Sequence, residues 1–265
     1  MGSKYRASRS GVARNILAAT FIVVIFILAN FLFFSETSEL ENESLRSEAV
    51  LTRSQIAAQK KAQATENVAG TLGTFKSNPL FNLELANERA PESFVVEFTV
   101  SRKGQFRAKC TREWAPQGVD RFYNLVKIGF YDNVYIFRVI RGFMMQFGIN
   151  SDPRVTKAWR QTAIPDDPFN GNSNTKGLLS FAMSGPNSRT TQLFLNYGDN
   201  SRLDRQGFVP ICHVTDMKTP LLVHVTGEGS PSGPGPAQGR ISSEGGAYIA
   251  KNFPQVDKIL TARII

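Results

Sequence analysis

YIFRVIRGFMMQFG, residues 135–148, is apolar or aromatic at almost every position, yet it carries Arg138 in its middle. From Tyr135 to Ile140 the run is short and rich in β-branched and aromatic side chains, which predicts a buried strand rather than a helix. Strand side chains alternate between faces, so Arg138 is expected to share a face with Ile136 and Ile140. A permanently charged guanidinium on an apolar face is costly unless it is paired or opens onto a cleft. After Gly142 come Phe143, Met144 and Gln146, two bulky apolar groups and one amide. An arginine beside apolar side chains with a few convergent polar groups is what a ligand pocket needs. The alternative for this segment alone is an edge strand whose arginine lies along the surface with its head in water.

Working outward, strands dominate. Residues 94–100 and 105–111 alternate and are separated by Arg102, Lys103 and Gly104, which reads as a hairpin. In it Phe106, Ala108 and Cys110 face one way, and Arg107, Lys109 and Thr111 the other. Pro116 suits the first turn of a helix. Val119, Phe122 and Val126 form its apolar face, and Gly129 is placed to stop it. Further strands are predicted at residues 177–183, 192–197, 208–214 and 258–264. No regular βαβ alternation appears, so the natural architecture is a closed antiparallel barrel. The Gly/Pro-rich stretch GEGSPSGPGPAQG, residues 227–239, reads as a surface excursion. It lacks the strand–turn–helix context and the Lys-Ser/Thr of a phosphate loop.

Three further segments sharpen the reading. FRVIRGFMMQFG is followed by SFAMSGPN, TTQLF and LDRQGF in that order, and the helix APQGVDRFYNLVKIGFYD precedes the arginine strand. Together these resemble the cyclophilin family of peptidyl-prolyl isomerases over roughly residues 94–265. The resemblance implies a mainly β fold: a closed eight-stranded antiparallel barrel capped by two helices. It also implies site roles. Arg138 matches the family's catalytic arginine, and Phe143, Met144, Phe194 and Leu203 match the wall of a proline pocket. Gln146 and Gln192 match its polar contacts, and Met183 and Ser184 match an edge strand whose backbone pairs with substrate. Proline-containing polypeptides are the implied partners, and no cofactor or metal is implied. The chain departs from the family at Arg202, where many members have tryptophan. A histidine common after the Leu-Asp pair is replaced by Gln206, Gly207 and Phe208. Arg141 stands where proline is usual, and Phe137 where histidine is common. The missing tryptophan implies weak binding of cyclosporin-like ligands.

The chemistry suits these residues. Twisting an X–Pro bond loses amide resonance behind a barrier near ~20 kcal/mol, and no bond breaks. A donor aimed at the prolyl group stabilises the twisted state, and an apolar pocket holds the ring. A charge-assisted hydrogen bond contributes roughly 1.5–3 kcal/mol, so positioning must supply the rest. The leading expectation is therefore an isomerase. The rivals are a prolyl-peptide binding module that has lost most activity, favoured by Arg202 and the lost histidine, and a structural wall protein using the barrel as a scaffold.

The N-terminus predicts topology. Lys4, Arg6, Arg9 and Arg14 precede nineteen uncharged residues at 16–34, and four glutamates follow before Arg46. A spanning helix needs about 20 apolar residues, whereas a cleavable signal has a core of about 7–15. The expectation is a cytosolic segment at 1–14, a signal anchor at 15–34, a stalk at 35–90 and the isomerase domain at 91–265. The positive-inside rule then sends that domain into the secretory lumen or outside the cell. The stalk has good helix formers but no clean heptad, so a solvated helix or disordered spacer is expected over a coiled coil.

The net charge of +9 is not gathered into a basic tail, since residues 91–265 carry 21 bases and 14 acids. No Lys/Arg run interleaves with aromatics, which argues against nucleic acid. Cys110 and Cys212 either bridge or remain two buried thiols. His213 and His224 have no ligand partners at metal spacing.

Overall fold

The computed structural model describes residues 77–265, together with helical positions 46, 55–58, 60 and 61. The chain divides into two units, Met1–Thr71 and Leu72–Ile265, and the strands belong to the second. The expected anchor at 15–34 lies outside the described residues. Among those described, no helix is long and apolar enough to cross a membrane.

The N-terminal hairpin forms as its alternation dictates. Strand β1 (Ser93–Val100) pairs antiparallel with β2 (Gly104–Thr111), and Phe106, Ala108 and Cys110 turn into the core. Helix α1 (Pro116–Lys127) follows, burying Val119, Phe122 and Val126, and Gly129 beyond it takes φ +72°. The remaining strands are β3 (Val134–Tyr135), β4 (Arg138–Ile140), β5 (Met144–Phe147), β6 (Leu178–Phe181), β7 (Leu193–Asn196), β8 (Pro210–His213) and β9 (Lys258–Ile264).

The nine strands of the described residues join one sheet in the order β3-β9-β1-β2-β8-β6-β7-β5-β4, with every ladder antiparallel. This corrects the expected closed eight-stranded barrel. The ladder is an open half-barrel, because its end strands β3 and β4 do not pair with each other. They are nevertheless consecutive in the chain, and Ile136 and Phe137 carry the backbone from one end of the sheet to the other. The Ile136 N–H still donates to Asp257 O on the β9 side, and the Phe137 N–H to Gln146 O on the β5 side. The predicted single strand around Arg138 is thus split, which raises the count to nine.

The split also changes which face Arg138 occupies. Ile136 and Val139 pack in the main core, whereas Phe137 and Ile140 belong to two other clusters. The in–out alternation therefore slips by one residue at the break, and Arg138 does not share a face with Ile136 as expected. A one-residue slip moves every later side chain to the opposite face. Here it takes the guanidinium out of the core, where its burial would be costly.

Among residues 78–265 there are five α-helices, against the two expected. Besides α1 they are α2 (Pro153–Arg160), α3 (Lys218–Leu221), α4 (Gln238–Glu244) and α5 (Gly246–Asn252). The unit also begins before Pro91. Leu80, Phe81, Leu83 and Ala86 pack against the core, and the Trp159 indole donates to Leu80 O at 2.9 Å. Asn124 accepts from the Glu88 N–H at 3.0 Å and donates to Glu88 O at 2.7 Å. Cys110 and Cys212 stand opposite each other on β2 and β8 and form a disulfide, which settles the choice between bridge and thiols.

Candidate active site

The site is built on the outer face of the sheet, because β4, β5 and β7 alternate around their core-facing residues. Val139, Met145, Phe147, Leu193 and Leu195 point into the core. Their neighbours Ile140, Met144 and Phe194 point the other way and, with Leu203, form a separate apolar cluster. One register row crosses three strands as Arg138, Gln146 and Phe194. The arginine, the amide and an aromatic ring are thus set side by side by ladder pairing alone.

A cavity of about 730 Å³ opens on this face. It is lined by Arg138, Phe143, Met144, Gln146, Met183, Ser184, Gln192, Phe194 and Leu203. All nine residues singled out in the sequence therefore meet at one cavity. Their placement is not as expected in one respect. Met183 and Ser184 do not sit on an edge strand, since β6 is flanked by β7 and β8 and ends at Phe181. They lie in the turn beyond it, where the Ser184 N–H already donates to Ser188 Oγ at 2.9 Å.

The apolar wall is held by polar ties behind it. Phe143 sits in the turn between β4 and β5, and its carbonyl accepts from the Tyr197 N–H and from Asn200 Nδ2, each at 2.8 Å. Leu203 rides on a 3-10 turn, Ser201–Gln206. That turn is pinned by Asp204, which accepts from the Asn174 N–H at 2.9 Å and from its Nδ2 at 2.8 Å. Burial pushes the Asp204 carboxyl up, but the donors on Ser173 and Asn174 outweigh it and hold it below its ordinary value. Phe208 packs edge-on against Phe194 with centroids 5.5 Å apart.

The polar side is a chain of charge-assisted and amide hydrogen bonds. Arg138 Nη1 donates to Gln146 Oε1 at 3.0 Å, and Gln146 Nε2 donates to Gln192 Oε1 at 2.9 Å. The opposite edge of the guanidinium is taken by Glu228. Nε donates to Oε2 at 2.8 Å and Nη2 to Oε1 at 2.6 Å. The Arg138 fork holds the Glu228 carboxyl below its ordinary value, against a smaller opposing effect of burial. Two guanidiniums face the Phe143 ring, Arg202 with its Cζ 4.9 Å from the centroid and Arg138 at 5.7 Å.

Three features of the site escaped the sequence reading. Phe208, among the residues that replace the family's histidine, lines the pocket wall, a role that LDRQGF alone does not assign. The cavity also runs on between α2 and α4, past Thr156, Arg160, Gln238 and Ser242. Glu228 lies ninety residues beyond Arg138, in a loop that composition marked only as an excursion.

Comparison with known proteins covers the same elements. Residues 95–221 match the family model described as cyclophilin type peptidyl-prolyl cis-trans isomerase/CLD. Peptidyl-prolyl cis-trans isomerase B of Escherichia coli is 35% identical over 105 residues, which are 39% of this chain and 63% of that protein. Peptidyl-prolyl cis-trans isomerase-like 3 of Dictyostelium discoideum is 30% identical over 107 residues, 38% of this chain and 65% of that protein. The chain thus spans just under two thirds of the length of these curated relatives. A solved cyclophilin type peptidyl-prolyl cis-trans isomerase of Cryptosporidium parvum aligns over 65% of this chain and 98% of its own, with a TM-score of 0.48 and 18% identity. The matched residues run from β1 to α3 and include the whole apolar wall, Arg138 and both glutamines. Over residues 95–221 the chain is thus similar to the cyclophilin-type peptidyl-prolyl cis-trans isomerases, a family of enzymes.

Proposed function

We propose that this chain catalyses cis–trans isomerisation of X–Pro bonds in polypeptides. The observation that carries the reading is Arg138, fixed at the edge of an apolar pocket with donors to spare. A guanidinium has five N–H groups, and Arg138 commits three of them to Glu228 and Gln146. One N–H on Nη1 and one on Nη2 remain for a ligand. The proline ring fits among Phe143, Met144, Phe194 and Leu203, with Phe208 closing the wall. As the C–N bond twists, the prolyl nitrogen regains its lone pair and becomes an acceptor, and the free donors meet it there. That interaction is stronger in the twisted state than in either planar isomer, so it lowers the barrier rather than tightening binding alone. The Gln146–Gln192 chain holds the guanidinium and offers the peptide backbone polar partners.

The domain works, in this reading, as a membrane-anchored folding catalyst of secretory-pathway proteins, with residues 15–34 as the anchor and the site on the lumenal or extracellular side. Support comes from the apolar run at 16–34, the bases before it and the acids after it. The Cys110–Cys212 disulfide is also the expected state in an oxidising compartment. Arg202 at the tryptophan position supports weak binding of cyclosporin-like ligands.

The test is isomerisation of a short Xaa-Pro peptide by the full chain, beside Arg138→Ala. Loss of one charge-assisted hydrogen bond is expected to slow kcat/KM roughly ten- to hundredfold while the fold persists. Equal near-background rates for both, with peptide binding retained, would sink the catalytic reading and leave a binding module.

A further inference from the structure

We propose that Glu228 is a positioning residue for Arg138: a carboxylate presented by the Gly/Pro-rich loop fixes the guanidinium from behind, so that its free donors face the pocket. The inference rests on the isomerase reading above. It concerns this chain's own loop, since Glu228 lies beyond the residues that match the family model.

The loop that reads as an excursion in sequence is stitched to the arginine strand. Thr226 Oγ1 accepts from the Val139 N–H at 2.8 Å and donates to Phe137 O at 3.2 Å. The Gly227 N–H donates to Val139 O at 3.0 Å. These contacts grip the backbone on both sides of Arg138. The rest of the loop closes on Glu228 itself. The Gly235 N–H donates to Glu228 O at 2.8 Å, and the Gly233 N–H to Gly229 O at 3.1 Å. A Cβ on Gly233 or Gly235 would come within 2.6 or 2.8 Å of that same carbonyl oxygen. Only glycine allows the loop to fold back this tightly, and the tight fold places the carboxylate.

The alternative is that Glu228 masks Arg138 and must leave before substrate enters. Three observations weigh against it. Arg138 lines the cavity and Glu228 does not, so the carboxylate stands behind the guanidinium rather than between it and the pocket. The bidentate pair uses Nε and one N–H of Nη2, leaving a donor on each Nη. The loop is hydrogen-bonded to β4 at Thr226 and Gly227 and to itself at Glu228 and Gly229, so the backbone is held on both sides of the carboxylate. Without Glu228 the long side chain of Arg138 keeps one hydrogen bond, to Gln146, and its loose contact with the Phe143 ring, and regains rotamers that lead away from the pocket. A donor pre-set before the peptide arrives avoids that loss at the barrier.

The experiment uses the full chain with four substitutions: Glu228→Ala, Glu228→Gln, Arg138→Ala and the double variant Arg138→Ala/Glu228→Ala. Misplacing the donor is expected to lower kcat/KM of Glu228→Ala roughly ten- to hundredfold, in kcat rather than KM. Glu228→Gln keeps the loop's shape and one acceptor oxygen, and recovers part of that loss. In the Arg138→Ala background, removing Glu228 costs nothing more, because Glu228 acts only through Arg138. The Arg138 Nε–H proton resonance, identified by its absence in Arg138→Ala, is sharp in the wild type and lost in Glu228→Ala. A Glu228→Ala rate at or above wild type, beside a slow Arg138→Ala, overturns the inference and leaves the isomerase reading standing. An equal fall in both backgrounds marks the loop as merely structural and also overturns it. A wild type at background rate sinks the isomerase reading and the inference with it.

Discussion

A charge on an apolar strand poses one question, where its donors go, and residues 135–148 answer it by slipping the strand once. The slip between Phe137 and Arg138 sends the guanidinium to the outer face, where Glu228 and Gln146 meet it. Arg202 poses the same question at the rim. Its side chain is exposed, donates to Asn200 Oδ1 at 3.3 Å and lies over Phe143. It therefore offers an exposed cation at the position where the family resemblance implies an aromatic platform. Arg202→Trp is expected to tighten binding of a cyclosporin-like cyclic peptide on the order of tenfold, since a stacked aromatic contact contributes about 0.5–1.5 kcal/mol beyond its area. Titration calorimetry on the two proteins measures it, and an unchanged affinity would refute the role given to position 202. At this scale the sequence made Arg138, Gln146 and the Phe-Met pair legible, because alternation and motif order are local. Glu228 was illegible, because nothing in GEGSPSGPG says which strand the loop returns to.

Elements show the same division between local and remote causes. Pro116 and Gly129 bracket α1 in the sequence and in the structure, because φ restriction and the left-handed stop act where they stand. The N-cap residue is nevertheless Ala115, whose methyl group cannot accept a hydrogen bond. Its cap arrives from fifty residues on. Asp167 Oδ1 accepts from the Gln117 N–H at 2.8 Å, and Oδ2 accepts from the Gly118 N–H at 2.9 Å. Oδ2 also pairs with Arg189 Nη1 at 2.9 Å, with both side chains 2% exposed. This one carboxylate joins α1 to the turn that carries Ser184 and Ser188, so it sets one wall of the cavity. Asp167→Ala leaves two helix N–H groups unpaired and a buried guanidinium short of its counter-charge. Breaking a buried pair costs about 3–5 kcal/mol, and that is the expected drop in unfolding free energy by urea titration. A drop below about 1 kcal/mol would mean that Asp166, 3.3 Å from Arg189 Nε, takes over the charge. No reading of local pattern finds such a cap, because donor and acceptor meet only once the sheet has formed.

For the whole strand-bearing unit, the decisive feature is where the sheet is thinnest inside its two end ladders. The β1–β2 ladder holds eight residue pairs, whereas β2 and β8 pair at only two, Lys109 with His213 and Cys110 with Cys212. That seam divides the sheet in the order β3-β9-β1-β2 from β8-β6-β7-β5-β4, and the cavity's strands all lie in the second group. The disulfide sits on the seam itself and closes a loop with a sequence separation of 102. The sequence made both cysteines visible but not their pairing, since register across two distant strands follows from the assembled sheet. A cross-link over so long a loop restricts the unfolded chain strongly, and such bridges typically contribute about 2–4 kcal/mol. Cys110→Ala/Cys212→Ala is therefore expected to lose that much unfolding free energy, and wild-type protein unfolded with a thiol reductant present should match it. Catalysis should respond differently. Arg138, Gln146 and Phe194 are aligned by the β4–β5 and β5–β7 ladders, which do not cross the seam. The folded double variant should thus keep kcat/KM within about twofold of wild type, since mutations at separate, uncoupled sites act independently. A large loss of activity without loss of stability would show that the seam, and not the two ladders beside it, holds the row of Arg138, Gln146 and Phe194 in line.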